Sequence, residues 1–82
     1  MTFDLIVNVA WKEEILDPAG QSTTKVLQQM GYAVDNVRIG KQIRLQVEAQ
    51  DQDRALEAGR EMAKRLLANP VMETYTVQVV EA

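Results

Sequence analysis

The residues of this chain with types suited to chemistry are few: two arginines, Arg38 and Arg44, a Gly40-Lys41 pair, and carboxylates spread along its length. Cysteine and histidine are both absent, which removes thiolate nucleophiles, imidazole bases, disulfides and the usual soft metal sites together. Gly40-Lys41 lacks the spaced glycines and the following Ser or Thr of a phosphate loop. The Asp and Glu residues fall on loops, helix ends and a solvent face, a pattern of solvation rather than of metal ligation. Stacking of single-stranded RNA on a sheet would need aromatics on an open face. Trp11 and Tyr75, the nearest candidates, fall in register with core positions. That leaves the two arginines. A hairpin through residues 34–47 sets Arg38 opposite Arg44, and opposed like charges are unfavourable. Either an anionic group of a partner sits between them, or the two side chains splay apart into water.

The hairpin is the element around which the rest is placed. Val37 and Ile39 alternate with polar residues, Gly40-Lys41 interrupts, and Ile43, Leu45 and Val47 alternate again, which reads as two short strands around a glycine. Ile39 facing Ile43 and Val37 facing Leu45 keeps one face apolar, with Gly40, Lys41 and Gln42 as a three-residue or bulged turn. Upstream, Phe3, Leu5, Val7, Val9 and Trp11 share one face of a first strand, and Ile15 and Leu16 tuck back toward the core. Asp17-Pro18 starts a helix, with the carboxylate as cap and proline at the first position. Thr23, Val26, Leu27 and Met30 form its buried stripe, and Gly31 its left-handed end. Gly20 in the first turn costs helix propensity; it marks a close approach by another backbone or a tolerated glycine in a frayed turn. Downstream, the polar run from Ala49 to Asp53 leads into a second helix. Ala55, Leu56, Gly59, Met62, Ala63, Leu66 and Leu67 give its apolar face, and Glu61 and Arg65 stand at i, i+4. Asn69 as a left-handed cap and Pro70 end it. Tyr75, Val77 and Val79 then alternate with polar residues in a last strand.

The order is β-α-β-β-α-β over a single domain, residues 1–82. It predicts an α+β fold of ferredoxin-like order, two helices on one face of a four-stranded antiparallel sheet. Asp4, Ile6, Asn8, Arg38, Arg44, Gln46, Thr76, Gln78 and Val80 line the uncovered face. A core this small stabilises a lone chain by only a few kcal/mol, on the order of 3–5, so self-association through that face or a strand edge is expected. A net charge of −3 argues against nucleic acid or an anionic membrane as partner. No apolar run approaches spanning length and no signal-peptide pattern opens the chain, so a cytoplasmic location is expected.

Three stretches take the reading further. Leu16-Asp17-Pro18-Ala19-Gly20 resembles the "LDPxG" segment of the PurS family, the small subunit of phosphoribosylformylglycinamidine (FGAM) synthase. Val37-Arg38-Ile39-Gly40-Lys41 resembles that family's "VRxGK" segment. Residues 66–75, LLANPVMETY, resemble its "LLANxxIExY" segment, with Met72 in place of the usual isoleucine. The three occur in family order at family spacing. The resemblance implies a PurS-like fold and a non-catalytic subunit acting in the fourth step of de novo purine synthesis. There formylglycinamide ribonucleotide, glutamine and ATP are converted to formylglycinamidine ribonucleotide. It implies PurL and PurQ as partners, a homodimer or tetramer, and ammonia passing from the PurQ glutaminase to PurL. No cofactor is expected in this chain; ATP and Mg are expected on PurL. The motif residues Asp17, Pro18, Gly20, Arg38, Gly40, Lys41, Asn69, Pro70 and Glu73 are the candidate partner contacts. Arg38 and Lys41, placed at an exposed turn, are expected to tolerate substitution by Glu with little change in stability. From the residues alone, two other readings stand beside this one. One is a regulatory module binding an amino acid or nucleotide at a dimer interface. The other is a ferredoxin-like enzyme of acylphosphatase type.

Overall fold

Alternation of apolar and polar residues builds the sheet, and one strand is buried by it more than the others. The computed structural model describes residues 1–80. Strand β1 (Thr2–Trp11) is the central strand of a three-stranded antiparallel sheet, between β2 (Lys41–Glu48) and β3 (Glu73–Val79). Leu5 faces Leu45 and Val79, and Val7 faces Ile43 and Val77, so the odd-numbered residues of all three strands share the apolar face. Leu5, Val7 and Val9 are almost fully buried.

Helix α2 (Gln52–Met62) covers that face, capped by the Asp51 carboxylate, which accepts from the Arg54 amide at 2.8 Å. The residues it buries are small, Ala55, Gly59 and Ala63, so the helix axis comes close to the sheet. A Cβ on Gly59 would stand 2.8 Å from both Leu5 Cδ1 and Val77 Cγ1. The helix ends in a wider π-helical turn, Ala63–Leu67, closed by the Ala68 amide donating to the Ala63 carbonyl at 2.9 Å. The expected apolar face is broken there. An i→i+5 turn advances each side chain by less than 100°, so Leu67 reaches the core while Leu66 is left 84% exposed.

Three expectations about the first half of the chain are corrected. The described sheet has three strands, not four, because residues 33–40 pair with no strand. Lys41 and Gln42 belong to β2, opposite Val9 and Asn8 of β1, so no turn forms at residues 40–42. Val37 and Ile39 therefore do not oppose Leu45 and Ile43, and Arg38 does not oppose Arg44. Arg44 lies across from Ile6 on the outer face. Second, helix α1 (Pro18–Gln29) does not join α2 on the sheet. It runs on beyond the end of β1, giving the chain a 51 Å long axis and a radius of gyration of 16.0 Å. Its intended stripe is open, with Val26 53% and Met30 64% exposed, and Leu16 is exposed as well. Third, Asn69 is not left-handed; among the described residues only Asn36, apart from glycine, has a positive φ. The cap of α1 is as expected. Gly31 has φ +96°, and the Gly31 and Tyr32 amides donate to the Gln28 and Leu27 carbonyls.

Gly59→Ala should destabilise the protein by about 1–3 kcal/mol, because the added methyl meets two packed side chains and α2 must lift. Denaturant unfolding of the two proteins measures it.

Candidate partner interface

Asp17 does more than begin a helix. Its side chain is 2% exposed, and its two oxygens accept from different segments. Oδ1 takes the Gly20 amide at 2.9 Å, and Oδ2 takes the Ile39 amide at 2.7 Å. The first bond caps α1; the second ties the helix to the chain entering β2. Thr24, one turn on, repeats the link. Its hydroxyl donates to the Gly20 carbonyl at 2.8 Å and accepts from the Val37 amide at 3.0 Å. Gly20 is buried in the crossing, where a Cβ would stand 2.1 Å from the Val37 carbonyl oxygen. Of the two readings of Gly20, close backbone approach is the one realised.

Arg38 completes the clasp from the other side, its guanidinium donating to the Lys12 carbonyl at 2.8 Å and the Ile15 carbonyl at 2.9 Å. It therefore holds the link between β1 and α1 and is not a residue at a hairpin tip. Gly40 lies against the Val9 carbonyl, 2.5 Å from where its Cβ would be, and Lys41 opens β2 beside it with its side chain exposed. Pro18 occupies the first position of α1 and is exposed.

Asn69, Pro70 and Glu73 form a second group. The Asn69 Oδ1 accepts from the Val71 and Met72 amides at 2.9 and 3.2 Å. The Asn69 amide donates to the Glu73 carboxylate at 2.7 Å, and the Glu73 amide returns to the Asn69 carbonyl at 2.8 Å. Asparagine is here the cap of a tight turn leading into β3, a role it favours because its side chain competes for nearby amides.

The structure brings the two groups to one end of the sheet. Glu73 is paired with Trp11, the Lys12 amide donates to the Met72 carbonyl, and Arg38 holds the Lys12 carbonyl. Sequence reasoning placed Arg38, Gly40 and Lys41 on a hairpin tip, away from the helix start at Asp17, and so missed this convergence. It also missed Thr24, whose only signal was its place one turn after Gly20. Exposed Leu16, Val71 and Met72 gather at the same end. Apolar side chains beside ordered turns are what a protein partner buries.

A groove between α1 and residues 35–38 sets Lys25 and Arg38 against Asp17 and Asp35, a balanced pattern with no pull toward either sign of ligand. No group of three potential metal ligands occurs among the described residues, and no described helix is long and apolar enough to cross a membrane. The Asp17 carboxyl is held below its ordinary value of 3.8, chiefly by the Ile39 amide, then by the Gly20 amide, with burial opposing and the Arg38 charge assisting. A carboxyl depressed in the folded state contributes stability that is complete above its unfolded value and is lost as pH falls through the folded one.

Asp17→Asn should therefore be less stable than the parent at neutral pH, and the gap should narrow as pH is taken below 3.8; thermal melts across that range test it. Gly20→Ala should cost about 1–3 kcal/mol, because the obstacle to its methyl is backbone, and should loosen residues 37–40 in hydrogen exchange. Arg38→Glu, set against two carbonyls it can no longer donate to, should lower the melting temperature, whereas Lys41→Glu at an exposed position should leave it close to the parent's.

Comparison with known proteins covers nearly the whole of the chain. Residues 4–81 match the family model described as PurS: phosphoribosylformylglycinamidine (FGAM) synthase. The chain is 42% identical over 76 residues to the phosphoribosylformylglycinamidine synthase subunit PurS of Bacillus subtilis, covering 92% of this chain and 89% of that one. It is 35% identical over 77 residues to the corresponding subunit of Thermotoga maritima, covering 93% and 94%. A chain in the structure of PurLQS from Thermotoga maritima superposes with a TM-score of 0.90 at 33% identity, covering 98% of this chain and 99% of that one.

Proposed function

The chain belongs to the PurS family, and on that premise we propose that it is a non-catalytic assembly subunit of phosphoribosylformylglycinamidine synthase in purine biosynthesis. The likeness to a chain of the PurLQS assembly carries the reading. In this role the chain bridges a PurL synthetase and a PurQ glutaminase as a homo-oligomer and helps ammonia pass from one to the other. ATP and Mg belong to PurL, and the assembly works in the cytoplasm. The chain's own chemistry agrees. A glutaminase of the cysteine–histidine type needs two residues that the sequence lacks, so its contribution is geometry.

The contact surface in this reading is the end of the sheet where Asp17, Pro18, Gly20, Arg38, Gly40, Lys41, Asn69, Pro70 and Glu73 meet. Most of them hold backbone: Asp17, Gly20, Arg38 and Gly40 fix the clasp, and Asn69 and Glu73 fix the turn. What they present to a partner is shape, with Lys41, Pro18, Leu16 and Val71 as the exposed side chains.

Reconstitution with PurL and PurQ tests the role. Glutamine-dependent product formation should require this chain, while ammonia-dependent formation by PurL should persist without it, and the isolated chain should hydrolyse no glutamine. Lys41→Glu should lower only the glutamine-dependent rate. Full glutamine-dependent activity from PurL and PurQ alone would refute the assembly role.

A further inference from the structure

The groove between α1 and residues 35–38 has fixed walls. Three side chains at the start and along one face of α1 hold the returning backbone. Asp17 takes the Ile39 amide at 2.7 Å, Thr24 takes the Val37 amide at 3.0 Å, and the Gln28 Nε2 donates to the Val34 carbonyl at 2.9 Å. Beside these ties lies a cavity of about 380 Å³, inside the range of about 300–1,000 Å³ in which small-molecule sites fall. A second cavity of about 330 Å³, reaching to Glu13, shares its Asn36 and Arg38 border.

Charges of both signs border the groove without neutralising one another. Lys25 and Asp35 enter no ion pair among the described residues; those that form, Met1–Glu48, Arg54–Asp51 and Arg65–Glu61, lie elsewhere. Asp17 is occupied by the Gly20 and Ile39 amides, so Asp35 is the carboxylate left to a ligand. Its Oδ1 accepts from the Asn36 amide at 2.8 Å, and its Oδ2 has no partner among the described residues. Arg38 is the better-prepared cation. Its Nη2 makes both of the bonds that fix it, to the Lys12 and Ile15 carbonyls, which leaves the N–H donors of Nε and Nη1 without a partner among the described residues. A guanidinium already oriented by backbone loses little further freedom when it meets an anion. The turn that sets Asp35 and Arg38 on one groove passes through Asn36, the only described non-glycine residue with a positive φ, +54°. That conformation has a local cost, and it puts Asn36 on the border of both cavities.

A ligand of one sign would meet one of these charges with its like. A molecule carrying an ammonium and a carboxylate on one carbon meets each with its opposite. We propose that this groove binds a small α-amino acid, its carboxylate on Arg38 and Lys25 and its ammonium on Asp35. Gln21, Gln28 and Asn36 border the remaining space, and carboxamides both donate and accept, so glutamine, with a carboxamide of its own, is the matching probe. Lys25, Asp35 and Arg38 are exposed, and water weakens each charge contact, so affinity in the millimolar range is expected. The site needs only residues of this chain and stands apart from the assembly role.

The test is an amide NMR titration of the labelled chain with glutamine, beside two analogues that each lack one charge. Glutaramate has no ammonium, and glutaminamide has no carboxylate. Glutamine should shift the amide resonances of residues 21–28 and 35–38 in a saturable way, and each analogue should bind more weakly by roughly threefold or more. Arg38 is left in place because it holds the clasp. Asp35→Asn keeps an oxygen to accept the Asn36 amide but loses the charge, and Lys25→Gln removes a cation at an exposed helix position. Both should fold with melting temperatures near the parent's and bind glutamine more weakly by roughly threefold or more, while Asp35→Asn should bind glutaramate no worse than the parent does. Absence of saturable shifts at these residues, glutaramate binding as tightly as glutamine, or parent-like glutamine affinity in either variant would overturn the site.

Discussion

The carboxylate of Asp17 receives two amides nineteen residues apart in sequence, and the path of the first half of the chain depends on that junction. One oxygen satisfies a free amide of a helix start, as any capping aspartate does. The other satisfies the Ile39 amide just before β2 begins. Because both amides stabilise the charged form, the group stays ionised and the junction stays closed through ordinary pH. Gly20 lets the two backbones meet at that distance, and Arg38 holds the linker on the opposite side.

From that junction the shape follows. β1 hands its direction to α1, the return segment hands the same line to β2, and the sheet is left with an arm beyond its end. At the other side of the molecule the packing is conventional. Small residues on α2 allow close approach to Leu5 and Val77, and the π-helical turn steers Leu67 inward at the expense of Leu66. Stability therefore lies mainly in the three-stranded sheet and α2, while the α1 arm is held by hydrogen bonds at its base and buries little apolar surface of its own.

The arrangement suits a subunit whose work is to hold others. The motif residues build backbone geometry at one end of the sheet, and the side chains left over there are mostly apolar and exposed. Family membership and the likeness to a chain of PurLQS support the proposal that such a surface serves in an assembly.

Alternation in β1 and β3, the helical spacing of α2, and the cap at Asp17 were legible in the residues, because each is set within a few positions by the local backbone. So was the absence of a thiol and an imidazole. The hairpin at Gly40 was misread for a physical reason. Alternating residues on both sides of a glycine state that two strands share an apolar face, but not that the chain turns between them. The turn was decided by bonds from Asp17 and Thr24, far away in sequence, which hold residues 37–39 in line with β2. The same distance hid the meeting of the clasp with the Asn69 turn, since that depends on which strand β1 pairs with. The exposed face of α1 reads from sequence as a core stripe, because periodicity records that a surface is apolar and only the tertiary structure shows that its own chain does not cover it.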